Sequence, residues 1–247
     1  MSSICDNVPI NRLIVVDGGS TDGTIDFLKK FPHVEMIDDS GGTRATARQK
    51  GIEAVETQWH LHVDSDVILS DDWFKRAWRL IDDQVGAIWG ADVPIEKHFS
   101  NIAYAMTKLD KIGLGKSMIK LGQSERFMMH DTLIRTLAVK GIKIPKNLHI
   151  WEDEYIGRYI TRKGYKFLKV KDPFCLHDFT MNERLYGFIM TGYLSKKYEL
   201  STLRKNLQHM IFAIPKSWWI YVTTRDFQAS RIYLLHQILV LKGWLAD

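Results

Sequence analysis

Short apolar runs alternate with stretches of helical spacing over the first two thirds of the chain. Leu13–Val16 is a β-branched run with the composition of a strand buried on both faces. It ends at Asp17 and enters Gly18, Gly19, Ser20, Thr21, Asp22 and Gly23, a loop with almost no side-chain bulk. Ile25 and Leu28 then share a helical face, and residues 34–38 predict a second strand. Gly41 and Gly42 feed a helix in which Ala45, Arg48, Ile52 and Val55 recur at helical spacing. Residues 59–69 predict a third strand, Ser70 the N-cap of the helix after it, and residues 85–93 a further strand. From about Pro94 to Asn147 the pattern blurs. It sharpens where Tyr155, Ile156, Tyr159 and Ile160 form one apolar stripe that Gly164 closes. Residues 165–170 predict a strand, and beyond His177 the chain turns helical, basic and aromatic. This rhythm predicts an α/β fold, a mostly parallel sheet with flanking helices, followed by a helical, amphipathic C-terminal tail.

Composition narrows the field. The 247 residues are 45% hydrophobic and 26% charged, with no low-complexity block, as in a folded protein able to bury a sizeable core. The net charge of +5 fits an anionic partner such as nucleotide phosphates or a lipid surface, and is no nucleic-acid signature. Cys5 and Cys175 lack CxxC spacing, which argues against a disulfide scaffold or zinc knuckle and fits a reducing compartment. The apolar run from Ile232 to Leu241 is shorter than the roughly 20 residues a membrane-spanning helix needs.

In open α/β sheets, ligands gather at the carboxyl ends of strands. Asp17, the Asp64–Asp66 pair and the Gly41–Gly42 loop all fall there. A carboxylate at such an end accepts hydrogen bonds from a base or ribose, and small residues let a ligand reach the backbone; the same residues also serve as ordinary turn and cap residues. Asp64 and Asp66 offer hard oxygen ligands of the kind that suit Mg2+ or Mn2+ bridging phosphates. Glu152 and Asp153 open a helix, where acids complement the macrodipole and a rim carboxylate can act as general base. His177 follows an apolar strand and is a candidate metal ligand, although a lone histidine is more often structural. Gly113–Ser117, GLGKS, looks like the tail of a P-loop, but Asp110 sits where that motif needs glycine. Strand alternation puts His60, His62 and Asp64 on one face, a hydrolase-like cluster with no second histidine group to complete it.

Together these segments resemble the family 2 glycosyltransferases of the GT-A fold. LIVVDGGSTDGT, TRATARQKGIEAV, HLHVDSDVILSDDW, WEDEYIGRYITRKGYKF and PFCLH occur in that family's order and rough spacing, over about Arg12 to His177. The resemblance implies a GT-A (Rossmann-like) catalytic domain over residues 1–180; the helical C-terminal region over 181–247 is read from its own residues as associated with a membrane interface. It implies donor binding by Asp17, with Gly19 in its loop, and by Arg44, Arg48 and Asp64. It implies Mn2+ or Mg2+ held on the donor diphosphate by Asp66 and His177, and Asp153 of the Glu152–Asp153 pair as base of an inverting transfer. The implied partners are a GDP- or UDP-sugar, a lipid-linked or saccharide acceptor and a membrane surface, with no nucleic acid. The implied location is peripheral, on the cytoplasmic face of a membrane. The departure is at the front. The family's first strand, central in its sheet between those at Leu13 and Leu61, has no counterpart here, and Met1–Asn11 resembles the end of the helix after it.

In the tail, Phe227, Leu234, Ile238 and Leu241 recur on one helical face beside Arg225, Arg231, Lys242 and Trp218, Trp219 and Trp244, which suits a helix lying in a membrane interface. Two alternatives remain at this stage. One is a polyprenyl-phosphate sugar synthase, whose ionised acceptor needs no base. The other is a nucleotide- or membrane-binding module without turnover.

Overall fold

The structure, a computed structural model, describes residues 1–31, 33–94, 122–123, 127–178 and 185–246. The GLGKS segment lies outside the described residues. The chain divides into two compact units, one of Met1–Gly90 with Leu121–Cys175, the other of Ala91–Lys120 with Leu176–Asp247.

The first unit carries the expected alternation of strand and helix. It runs α1 (Ser2–Asn7), β1 (Leu13–Asp17), α2 (Thr24–Leu28), β2 (Val34–Asp38), α3 (Arg44–Ala54), β3 (Trp59–Val63), β4 (Val67–Leu69) and α4 (Trp73–Trp78). It continues with β5 (Val85–Pro94), β6 (Gly122–Gln123), β7 (Asp131–Arg135), α5 (Thr136–Val139), α6 (Glu152–Arg162) and β8 (Lys166–His177), the last residues of β5 and β8 belonging to the second unit. β1 and β2 form a parallel pair. The larger sheet has the order β3–β7–β5–β8–β4, with β6 on β8. β7 runs antiparallel to both β3 and β5, so those two point the same way with a reversed strand between them. A reading by βαβ rhythm gives them parallel neighbours, because it cannot see a strand inserted from far along the chain. β1 pairs with β2 and β3 with β7, and among the described residues no strand joins β1 to β3.

Two local expectations change. The stretch 59–69 is not one strand. At Asp64 the backbone N–H donates to the His130 carbonyl (2.9 Å), the chain turns through Asp66, and it restarts as β4 beside β8. Ser70 does not cap α4 either. It exchanges hydrogen bonds with Phe174, and α4 begins after Asp72, held left-handed (φ 54°) while its N–H is taken by Asn7 Oδ1 at 2.9 Å. Both changes come from long-range partners that override a local preference.

The core of this unit joins Val67, Leu69, Trp73, Ala77, Val85, Ile88, Leu133 and Cys175, with Ile4 and Val8 of the α1 end packed against it. Val85, Ile88 and Trp89 of β5 and Leu133 and Ile134 of β7 are buried, while Val93 near the end of β5 is exposed. The stripe on α6 is also as expected: Ile156 and Ile160 are fully buried, and Gly164 closes the helix at φ 86°.

The second unit contains α7 (Leu185–Lys197), α8 (Leu203–Thr224) and α9 (Phe227–Leu245). α9 packs on both of the others. Gly192 of α7 and Gly243 of α9 make that approach possible, since a Cβ on either would run into the backbone of the facing helix. Ser217 and Ser230 bond across α8 and α9 at 2.8–2.9 Å. Of the four residues read as one face of α9, Leu234 packs against the cluster of Ala213, Ile220, Ala229 and Tyr233, while Phe227 and Ile238 are exposed. The exposed apolar surface lies on α8, at Ile211, Phe212, Ile214, Trp218 and Trp219, and on α9 at Phe227, Ile238 and Leu245. No described helix is long and apolar enough to cross a membrane.

Candidate active site

Arg48 is the centre of the site. The Thr43 hydroxyl caps α3 in a reciprocal capping box with Thr46, which fixes the entry of the helix and sets Arg48 one turn in. Its guanidinium is buried. Nη2 donates to the Met129 carbonyl at 3.2 Å and lies 3.6 Å from Asp64 Oδ1, while Nη1 lies 3.1 Å from Glu152 Oε1. One cation thus joins the carboxyl end of β3, the segment before β7 and the start of α6, three places far apart in the sequence. Arg48, Asp64 and Glu152, all sequence candidates, are brought together.

The electrostatics follow from this burial. Asp64 would be pushed up by burial alone, but the His62 Nε2 contact at 3.0 Å and the Arg48 charge outweigh it and hold the carboxyl at about 2. Burial raises Glu152, Arg48 opposes that, and the neighbouring Asp153 adds to it. Glu152, Asp153 and Glu154 are all buried in the first turn of α6, where the partial positive charge of the helix start favours carboxylates. Glu154 accepts from Phe127 N–H (3.2 Å) and Arg158 Nε (3.0 Å), and the Asp153 carboxylate accepts only the Glu154 N–H among the hydrogen bonds described. Arg44 is exposed at the start of α3 and acts on Glu152 only through its charge.

Asp17, at the end of β1, folds its own loop. Oδ1 accepts the N–H groups of Gly19 (2.9 Å) and Ser20 (2.8 Å), and Oδ2 the Ser20 hydroxyl (2.6 Å). Ser20, first by its hydroxyl and then by its backbone, holds this carboxyl below its ordinary value. Gly19 sits at φ 97°, a conformation that favours glycine, with Ser40 against the position of a Cβ. Beside it, buried Asp39 accepts from Thr46 Oγ1 (2.7 Å) and pairs with Lys50 (2.9 Å), closing the Gly41–Gly42 loop onto α3. Asp66 is half-buried in the turn after β3. His177 is half-buried at the last position of β8, in the second unit.

From sequence His62 belongs only to a hydrolase-like cluster that nothing completes, and the Met129–Asp131 segment carries no site expectation. The segment supplies the carbonyls that receive Arg48 and the Asp64 N–H. The available signal was a His–Asp pair opening an apolar strand, His130-Asp131 before TLI, a place where buried charge needs a reason. The alternation that put His62 and Asp64 on one face is correct, and His62 serves that carboxylate. His60 instead faces Thr136 Oγ1 at 3.1 Å.

His60 gives the folded state a pH dependence. Burial, with His62 adding, pushes it from 6.5 to about 3. Between those values the unfolded chain binds a proton that the folded chain refuses, so stability is intact above 6.5 and falls as pH drops toward 3. The slope is at most about 1.4 kcal/mol per pH unit for this one group. Urea unfolding at pH 7 and pH 5 should show the loss, and His60→Gln should reduce it. The same pH slope in both proteins refutes the assignment.

The layered α/β fold with its acidic strand ends and acid-opened helix is that of the GT-A glycosyltransferases. The description "glycosyl transferase family 2" matches residues 2–184, and the chain belongs to that family. No curated protein matches the chain. Solved structures share its fold. A mannosyltransferase, PcManGT from Pyrobaculum calidifontis, in complex with GDP-Man and Mn2+, superposes with a TM-score of 0.59 at 16% identity, over 98% of this chain and 67% of that one. S. aureus TarS gives 0.54 at 15%, over 76% of this chain and 35% of TarS. GalNAc-T7 with UDP, GalNAc and Mn2+ gives 0.52 at 13%, over 73% of this chain and 40% of that protein. This chain therefore spans well under half of the last two.

Proposed function

We propose that this chain transfers a sugar from a GDP- or UDP-sugar to a hydroxyl of a lipid-linked or saccharide acceptor, with inversion and with Mn2+ or Mg2+. The observation that carries the reading is the buried Arg48, which ties a strand-end aspartate to an acidic helix start. Asp17 and Gly19 form one wall of the donor site and Asp64 addresses ribose or sugar, with Arg44 and Arg48 near the diphosphate. Asp64 and Asp66 flank a single turn residue and offer oxygen ligands only. That suits an ion held by one or two carboxylates and completed by substrate phosphates. A divalent ion there supplies neutralisation of the charge that develops on the departing nucleoside diphosphate. Asp153 takes the acceptor's proton as the hydroxyl attacks from the face opposite the leaving group. The solved structures bound to GDP-Man or UDP with Mn2+ support the donor class and the ion. The deciding experiment is a donor screen with Mn2+ and mixed lipid-linked and saccharide acceptors, reading released nucleoside diphosphate and transferred sugar. Donor binding with no transfer to any acceptor would mark a binding module instead.

The second unit supports a lipid-linked acceptor and a peripheral membrane position. The exposed apolar residues of α8 stand beside Arg204, Lys205, Lys216 and Arg225, and Asp226 is the single acid between Leu203 and Ala246. An open apolar groove lined by Met210, Ile238, Leu241 and Leu245, with Lys242 at its side, fits an acyl or prenyl chain. Such a mixture binds anionic interfaces. The full chain should co-sediment with anionic vesicles, and Trp218→Ser with Trp219→Ser should weaken that about tenfold or more through the lost apolar area. Equal binding by both proteins sinks the membrane reading.

A further inference from the structure

We propose that His130, Asp131 and Cys175 form a structural site for a zinc-class divalent ion beneath the candidate active site. All three are buried, Asp131 and Cys175 completely, inside a core otherwise made of Val67, Leu69, Trp73, Ile88 and Leu133. Their ligand atoms lie within 4.8 Å of one another, and they are the one such group among the described residues.

The chemistry of the cluster asks for a cation. A carboxylate with no exposure is costly unless a positive partner meets it. The ion pair described for Asp131 is with His130, whose Nδ1 is 2.7 Å from Oδ1. The same Nδ1 is 3.6 Å from Cys175 Sγ, so one imidazole proton faces two acceptors. A thiolate, a carboxylate and a neutral imidazole together carry two negative charges, which a divalent ion cancels. Sulfur, nitrogen and oxygen are the ligand types of zinc, and two ligands of a tetrahedral zinc are separated by roughly 3.3–3.6 Å. The Nδ1–Sγ separation already matches that edge. The Nδ1–Oδ1 distance is a hydrogen-bond length, so loading moves the carboxylate oxygen outward by about half an ångström. On binding, the thiol proton is released and the imidazole proton shifts from Nδ1 to Nε2.

The surroundings have the form of a supporting shell. Asp131 Oδ2 accepts the Trp73 indole N–H at 2.8 Å, which orients the carboxylate in the way outer-shell donors orient metal ligands. Gly90 leaves room beside that oxygen, since a side chain there would collide with it. With all three groups buried, the ion enters as the chain folds. Its effect reaches the site above, because the His130 carbonyl takes the Asp64 N–H and the Met129 carbonyl takes Arg48. This site is distinct from the Asp64–Asp66 site proposed for the donor ion and does not depend on it.

The test uses the full chain, stripped with chelator and titrated anaerobically with Co2+. The expected result is about one Co2+ per chain with a thiolate-to-cobalt charge-transfer band that Zn2+ abolishes. Zn2+ should also raise the melting midpoint by about 5–10 °C at a hundredfold excess over Kd. Cys5→Ser should keep the band, since the exposed Cys5 is the other thiol, and Cys175→Ser should lose it. Should Cys175→Ser fail to fold, the band in Cys5→Ser alone assigns the ligand. A folded wild-type chain with no band and an unchanged midpoint overturns the proposal, whatever sugar transfer it shows. A band lost in Cys5→Ser overturns it as well.

Discussion

Replacing Arg48 by methionine should destabilise the protein by about 3–5 kcal/mol, the range for breaking one side of a buried ion pair. Arg48 is 9% exposed and Glu152 2% exposed, so no water replaces the lost partner. The cost is mostly the stranded carboxylate, not the pair's own attraction. Glu152, already raised by burial, should then take up a proton, and the variant should gain stability as pH is lowered toward the acidic range. Adding Glu152→Gln to Arg48→Met should recover a large part of the loss, because it removes the charge and keeps the shape. Urea unfolding of the four proteins of this cycle measures it. A single variant within about 0.5 kcal/mol of wild type would show that the buried cluster does not hold the site together.

Asp153→Asn should keep donor and metal binding and lose transfer by a factor of about 10² to 10⁴, the usual contribution of a general acid or base. Asn preserves the acceptor oxygen that receives the Glu154 N–H, 2.7 Å away in the wild type, so the start of α6 should stay as it is. The loss should therefore appear in kcat, with donor affinity by calorimetry unchanged. This outcome separates Asp153 from Glu152, which the structure ties to Arg48 and which should act through position and stability. Near-normal turnover would point to an already ionised phosphate acceptor or to a different base.

The elements that local pattern defines were legible in the sequence. β1, β2, α3, β5 and α6 fall where the runs and spacings put them, because each depends on its own residues: a β-branched run, a capped start, a glycine stop. The acidic strand ends were legible too, since a carboxylate directly after an apolar run is a local fact. What the sequence did not carry is who partners whom over long distances. The reversed β7 between β3 and β5, the break of residues 59–69 at Asp64, and the loss of Ser70 as a cap all arise from contacts made far along the chain. The same holds for the tail, where helical periodicity marks an apolar face but cannot say whether a neighbouring helix covers it. The buried cation at the centre is the clearest case. Arg48 was legible as a residue on a helix facing a ligand site, but that one guanidinium meets Asp64, Met129 and Glu152 together is decided only when β3, β7 and α6 converge on it. Burial then gives those charges their strength, and burial is a property of the folded whole.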